Sequence, residues 1–153
     1  MMKGEVLRTG YRLAWGLTRL SEIVSENLTP YSSIRNVQII SPNGRSRFYD
    51  LYRAARAGEK DQDPFVRPRD TIILSNFDRQ ITVSGEVERP GTYQLLRGEH
   101  LEKAIEYYGS GLTASADPSR VELNQYNPNE KIQVIRYVNV TTVSYTHLTL
   151  PTN

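Results

Sequence analysis

The sequence predicts an α+β protein made of two tandem units with the same plan. Two observations lead to that class. A ten-residue stretch near the start recurs near the middle of the chain, and each copy is followed by one apolar stripe of helical period and then by strand-like alternation. The chain has 153 residues, 38% hydrophobic and 24% charged, enough for one ordinary domain or two small ones. Its net charge of +2 gives no overall drive towards nucleic acid, and no nucleic-acid partner is expected. Cysteine is absent, which excludes disulfides, thiolate nucleophiles and cysteine-ligated metal. No apolar run approaches the roughly 20 residues of a spanning helix.

The repeat runs in order along the chain. Gly4-Glu5-Val6-Leu7-Arg8-Thr9-Gly10-Tyr11-Arg12-Leu13 returns as Gly85-Glu86-Val87-Glu88-Arg89-Pro90-Gly91-Thr92-Tyr93-Gln94-Leu95, one residue longer. Leu20, Ile23 and Val24 then answer Leu101, Ala104 and Ile105. Leu28-Thr29 answers Leu112-Thr113, and Val37-Gln38-Ile39 answers Val121-Glu122-Leu123.

Each element has a local reason. Ile81, Val83 and Val87 mark a strand from Gln80 to Val87, with a bulge at Gly85. Pro90-Gly91 suits the centre of a type II turn, proline presetting the first φ and glycine accepting a positive second φ. Tyr93-Gln94-Leu95 returns as the partner strand, and in the first unit Thr9-Gly10 takes the place of the turn. Leu101, Ala104, Ile105 and Tyr108 form one helical stripe, stopped by Gly109 and Gly111. The first unit offers Thr18 as N-cap, Leu20, Ile23 and Val24 as the stripe, and Asn27 as C-cap.

A second hairpin follows in both units. Asp117-Pro118 marks a turn, Val121 to Tyr126 a strand, and Asn127-Pro128-Asn129-Glu130 a loop. Ile132, Val134, Val138 and Val140 share a face of the returning strand, with Arg136 interrupting them. In the first unit Val37 to Ile40 turns at Ser41-Pro42-Asn43-Gly44 and returns from Arg47 to Asp50. Asp50 then caps a short helix to Ala57, stopped by Gly58, and Pro68-Arg69-Asp70 leads into a strand, Thr71 to Leu74. The second unit has no counterpart of Ala57 to Leu74, so its last strand is expected to be missing and a sheet edge exposed. A hairpin, a helix across it, a second hairpin and a closing strand describe a β-grasp type of sheet. The expected division is residues 1–78, 79–142 and a tail, 143–153.

The tail Val143-Ser144-Tyr145-Thr146-His147-Leu148-Thr149-Leu150-Pro151-Thr152-Asn153 resembles a translated transposase-type sequencing adapter and is set aside from fold reasoning, leaving 153 − 11 = 142 residues. Met1-Met2-Lys3 has no apolar segment of a secretory signal behind it, and the chain is read as a fragment.

The residues carry no catalytic set. Gly85 to Gly91 lacks phosphate-loop spacing, and Gly109-Ser110-Gly111 follows a helix instead of opening one. His100 has no second metal-ligating neighbour, and Asp61 and Asp63 lack the glycine and glutamate of a calcium loop. No enzyme activity, metal or cofactor is expected. The contact candidates are Trp15, Tyr107 and Tyr126, whose rings suit sugars and interfaces, and Arg53 and Arg56 in an arginine-rich stretch interleaved with acids. Tyr108 lies on the apolar stripe and is assigned to the core. Gly85, Pro90 and Gly91 are assigned structural turn roles.

The segment Thr82-Val83-Ser84-Gly85-Glu86-Val87-Glu88-Arg89-Pro90-Gly91-Thr92-Tyr93 resembles the opening hairpin of SLBB (soluble ligand-binding β-grasp) domains. Leu101, Ala104-Ile105, Tyr108-Gly109-Ser110-Gly111-Leu112-Thr113 and Ala116-Asp117 resemble the helix of that family and the glycine-rich turn after it. Asp63-Pro64 and Pro68-Arg69-Asp70-Thr71-Ile72 resemble its approach to the final strand, with Arg69 where the family has glycine. Tandem SLBB domains with this hairpin are most similar to bacterial outer-membrane polysaccharide export proteins. The resemblance implies a module of a periplasmic, outer-membrane-associated ring that passes capsule or exopolysaccharide chains. It implies homo-oligomerisation in the full-length protein and an inner-membrane export partner. The alternatives are a small-ligand module, for example for a cobalamin-type ligand, and an accessory domain of a respiratory flavoprotein subunit.

Overall fold

A computed structural model describes residues 1–77, 79–127 and 131–141. The Asn127–Glu130 loop centre and the tail from 143 lie outside the described residues. The chain divides into two compact units after Phe77.

The first unit holds a four-stranded sheet in the order β1-β4-β2-β3, from β1 (Met2–Gly4), β2 (Ser32–Ile40), β3 (Ser46–Tyr49) and β4 (Thr71–Asn76). β2 and β3 form the expected antiparallel hairpin, with Gly44 at φ +80° in the turn. β4 lies antiparallel to β2 and parallel to β1, so it is hydrogen-bonded on both edges. Arg35, Val37 and Ile39 alternate onto the buried face of β2. Helix α1 (Leu20–Ser25) sets Leu20, Ile23 and Val24 against Met2, Val37, Ile39, Ile72 and Leu74. Each such side chain contributes roughly 1.5–3 kcal/mol on burial.

A six-residue helix is marginal alone, and long-range contacts hold α1 in place. The Asp63 carboxylate accepts from Ser21 N–H at 2.8 Å and Ser21 Oγ at 2.7 Å, supplying the first turn with its anion from 42 residues away. The N-cap is Arg19, not the expected Thr18, whose Oγ1 instead accepts from Trp15 N–H. The C-cap is Glu26. Asn27, expected there, serves the helix from one residue later by donating Nδ2–H to Ile23 O at 2.9 Å.

Helix α2 (Leu51–Ala57) follows the predicted plan: the Asp50 side chain accepts from Arg53 N–H, and Gly58 stops the helix at φ +69°. Asp50 also accepts from Arg35 Nε at 3.1 Å and Nη2 at 2.8 Å, a buried ion pair that ties β2 to α2. Pro68-Arg69 forms the tight turn into β4, closed by Asp70 N–H to Arg67 O at 3.2 Å. Arg69 takes φ +69°, so this turn keeps the left-handed geometry that glycine adopts freely. The predicted first hairpin is reduced to one antiparallel bridge, Met2 to Gly10.

The second unit pairs β5 (Gln80–Val83) with β6 (Gly91–Gln94), and β7 (Val121–Asn127) with β8 (Ile132–Val138). β5 stops four residues short of the expected Val87. Gly85, at φ +83°, turns the chain out of the hairpin, and Val87 N–H closes on Gly85 O at 2.8 Å. Residues 86–89 then pair with the segment after the helix: Glu88 N–H to Gly111 O, Arg89 N–H to Gly109 O, and Thr113 N–H to Glu86 O. A type II turn does not form at Pro90-Gly91. Gly91 lacks a positive φ and opens β6 opposite Val83. A Cβ there would stand 3.2 Å from the Tyr93 hydroxyl, which donates to Arg89 O.

The helical stripe buries Leu101, Ala104, Ile105 and Tyr108 as expected. Lys103–Tyr108 is a π-helix, however, closed by Gly109 N–H to Ala104 O at 2.9 Å. Gly109 is required by close packing, since a Cβ would meet Ile105 O at 2.6 Å, while Gly111 at φ +94° makes the reversal.

The repeat in sequence is also a repeat in hydrogen bonding. The Met2–Gly10 bridge answers Val83–Gly91. Gly4 (φ +87°) and Gly85 (φ +83°) each accept from the N–H two residues on, at 3.0 and 2.8 Å. The Glu5 carboxylate accepts from Thr29 Oγ1 as Glu86 accepts from Thr113 Oγ1. Val37 opposite Tyr49 and Ile39 opposite Arg47 answer Val121 opposite Val138 and Leu123 opposite Arg136.

Arg69→Gly relieves a left-handed residue and raises stability by about 1 kcal/mol, read as slower amide exchange in β4; unchanged exchange would show the turn to be unstrained. Arg35→Ala leaves Asp50 buried without its cation and lowers the unit's stability by roughly 3–5 kcal/mol, visible as collapsed protection in both β2 and α2.

Candidate functional site

In the second unit a groove of about 890 Å³ runs between β5 and β7. Its walls are the backbones of residues 79–87 and 121–126, and its floor includes Leu101, Ala104 and Ile105. Val83 and Leu123 supply apolar walls, and Glu86, Asp117 and Arg120 add polar groups. Among the described residues β5 pairs only with β6, and β7 only with β8, so each lends the groove one unpaired strand edge.

The turn at the groove's end is set by Asp117. Its carboxylate accepts from Ser119 Oγ at 2.6 Å and Ser119 N–H at 3.0 Å. The hydroxyl bond first, the amide bond second and the nearby Arg120 charge hold the carboxyl below its ordinary 3.8.

The contact candidates fall in different places. Trp15 is 81% exposed and belongs to a period-two apolar run with Tyr11, Leu13 and Leu17, all more than three-quarters exposed. That alternation at 11, 13, 15 and 17 stands in the sequence, but only Trp15 was singled out from it. Tyr126 is half-exposed on β7 and lines the groove. Tyr107 is partly buried: its ring meets Tyr108 edge-on at 5.3 Å, and Lys103 Nζ stands 4.0 Å from its centroid. Lys103 and Tyr107, four residues apart, are neighbours on the helix surface.

Arg53 holds Glu59 through two bonds, at 2.6 and 3.0 Å, which neutralises its charge in place. Arg56 lies exposed in the last turn of α2. Gly85 turns the chain at the groove wall, whereas Pro90 and Gly91 lead into β6. Tyr108 is core and donates to Glu99 at 2.6 Å, a link that the sequence reading missed. His100 Nδ1 is buried without a hydrogen-bond partner among the described residues, where no cluster of three metal-ligating side chains occurs either. No helix of the described residues is long and apolar enough to cross a membrane.

Mixed strands and helices around this groove give an α+β, β-grasp-like architecture. An SLBB domain is found at residues 80–136, which run from the start of β5 into β8. No curated protein matches the chain.

The Asp117 geometry makes a pH prediction. A carboxyl held below 3.8 contributes stability that is complete above that value and is lost as pH falls through its lower folded value. In a carbon-detected NMR titration Ser119→Ala moves the Asp117 midpoint up towards 3.8. An unmoved midpoint would assign the shift to another cause.

Proposed function

We propose that this chain is a non-catalytic module of a bacterial polysaccharide export protein, working at the periplasmic face of the outer membrane within a homo-oligomeric channel. The observation that supports the reading is a repeated set of bonds and strand pairings. A glycine turn, a Glu–Thr bond and a strand register present in the SLBB domain at 80–136 recur in residues 2–49. Repeated modules of one shape suit a ring wall, in which each copy presents the same surfaces to its neighbours. The exposed Tyr11, Leu13, Trp15 and Leu17 supply apolar and aromatic area for a subunit contact or a sugar face. An inner-membrane export partner belongs to the same proposal.

A second reading is small-ligand binding in the second-unit groove, whose volume is in the range of ligand sites. Calorimetric titration with cobalamin tests it, and the absence of heat removes that ligand.

Trp15 is the single tryptophan and reports on its own surroundings. Titration with an anionic capsular polysaccharide is expected to shift its emission, and neutral dextran to shift it less. On a heparin column the double variant Arg53→Glu, Arg56→Glu is expected to elute at lower salt. Unchanged emission together with unchanged elution would overturn cargo contact by this chain.

A further inference from the structure

We propose that the loop of residues 11–17 in the first unit is an interfacial membrane anchor, which seats Leu13, Trp15 and Leu17 in the surface of a bilayer rich in anionic lipid. The inference goes beyond the cargo reading and does not depend on it.

The loop leads from β1 towards α1 with a strict alternation. Tyr11, Leu13, Trp15 and Leu17 are its large residues, and Arg12, Ala14 and Gly16 stand between them. The four large side chains lie in solvent, Leu13 at 95% exposure. None of them belongs to the buried cluster of the unit, so the fold does not require their apolar area. Pairing along a strand edge would not cover them either. Gly10 and Leu20 answer Gly91 and Leu101 at one constant separation, which makes Thr92 the counterpart of Tyr11. Thr92 is paired in β6 and is still exposed. The second unit carries Thr92, Gln94, Leu96 and Gly98 at the four places, so the aromatic and leucine character belongs to the first copy.

The loop is tied down at both ends. Arg12 donates from Nε and Nη2 to Asn27 Oδ1, at 3.1 and 2.8 Å, and fixes its start. Val66 N–H donates to Thr18 O at 2.9 Å and fixes its end. Between these ties Thr18 N–H donates to Trp15 O, and Trp15 N–H donates to Thr18 Oγ1, both at 2.9 Å. Both main-chain groups of Trp15 are thereby satisfied inside the loop, which lowers the cost of carrying the indole out of water.

Charge selects the lipid. From Val6 to Ser21 the chain has three cations, Arg8, Arg12 and Arg19, and no acid. Arg8 is exposed. Arg12 bonds to an amide and to main-chain carbonyls, and Arg19 to Asp63 O and the face of Phe65. None of the three forms an ion pair among the described residues. Their charge complements anionic headgroups, and tryptophan and tyrosine favour the boundary between headgroup and acyl chain. A sugar chain would call for hydrogen-bonding side chains between the rings, where the loop has Ala14 and Gly16. A second copy of the same loop would set like charges against each other.

The test adds vesicles to the full chain and reads Trp15, the single tryptophan. With equal parts of phosphatidylcholine and phosphatidylglycerol its emission is expected to move to the blue, and lipids brominated in the acyl chain to quench it. Partition into phosphatidylcholine alone should be about tenfold weaker, and raised salt should weaken binding to the mixed vesicles. Leu13→Asp with Leu17→Asp should abolish co-flotation with the mixed vesicles and leave amide protection in α1 and β4 unchanged, since both side chains are exposed. Arg8→Glu should weaken binding to the mixed vesicles and leave partition into phosphatidylcholine as it was. Unchanged emission with mixed vesicles would overturn the proposal, as would equal flotation of the doubly substituted chain. A blue shift that grows with protein concentration without lipid would overturn it in favour of contact between copies. A shift with anionic polysaccharide and none with vesicles would overturn it and leave the cargo reading standing. A shift with vesicles and none with polysaccharide would support the anchor and count against the cargo reading.

Discussion

The first unit depends on how closely two backbones approach at Gly4. β4 closes the sheet only because β1 brings it a residue without a side chain, letting Leu74 O take the Glu5 N–H. With that approach made, Ile72 and Leu74 are fixed onto Leu20, Ile23 and Val24, and β2 gains its second neighbour. The hydrophobic contribution is non-directional, and the main-chain constraint selects which aliphatic face is buried. Any side chain at position 4 would separate β1 from β4 and open the core from its edge.

Around this closure the two units diverge by their polar links. In the first, one carboxylate, Asp50, starts α2 and holds the Arg35 guanidinium, while a second, Asp63, starts α1 from the far side of the sequence. In the second unit the positions answering Arg35 and Asp50 carry Ser119 and Asn139, which bond locally, to Asp117 and Thr141. A buried ion pair is replaced by short turn contacts. Val140, like Leu51, is nonetheless buried at the same step of the chain. The plan of the unit is thus kept by apolar positions and glycines. The ionic links belong to one copy.

Much of the fold was legible because it depends on short-range rules. The stripes Leu20-Ile23-Val24 and Leu101-Ala104-Ile105-Tyr108 are buried as their period requires, and Asp50 and Gly58 bound α2 as a cap pair should. The errors share one cause. Thr18 was the better cap by residue type, but Asp63 reached Ser21 from 42 residues away. Val87 continued a strand pattern, but Gly85 turned it towards Leu112. Pro90-Gly91 had turn composition, but Gly91 pairs with Val83 as the first residue of β6.

The sequence by itself determined the two-unit α+β plan, the order of its strands and helices, and the absence of cysteine chemistry. All of these follow from residue type and spacing along the chain. Only the tertiary structure decided which strand edges meet and why Gly4 must be glycine. The physical reason is that backbone hydrogen bonds between strands join residues far apart in sequence. Their partners are chosen by approach distance in space, a quantity that no local pattern carries.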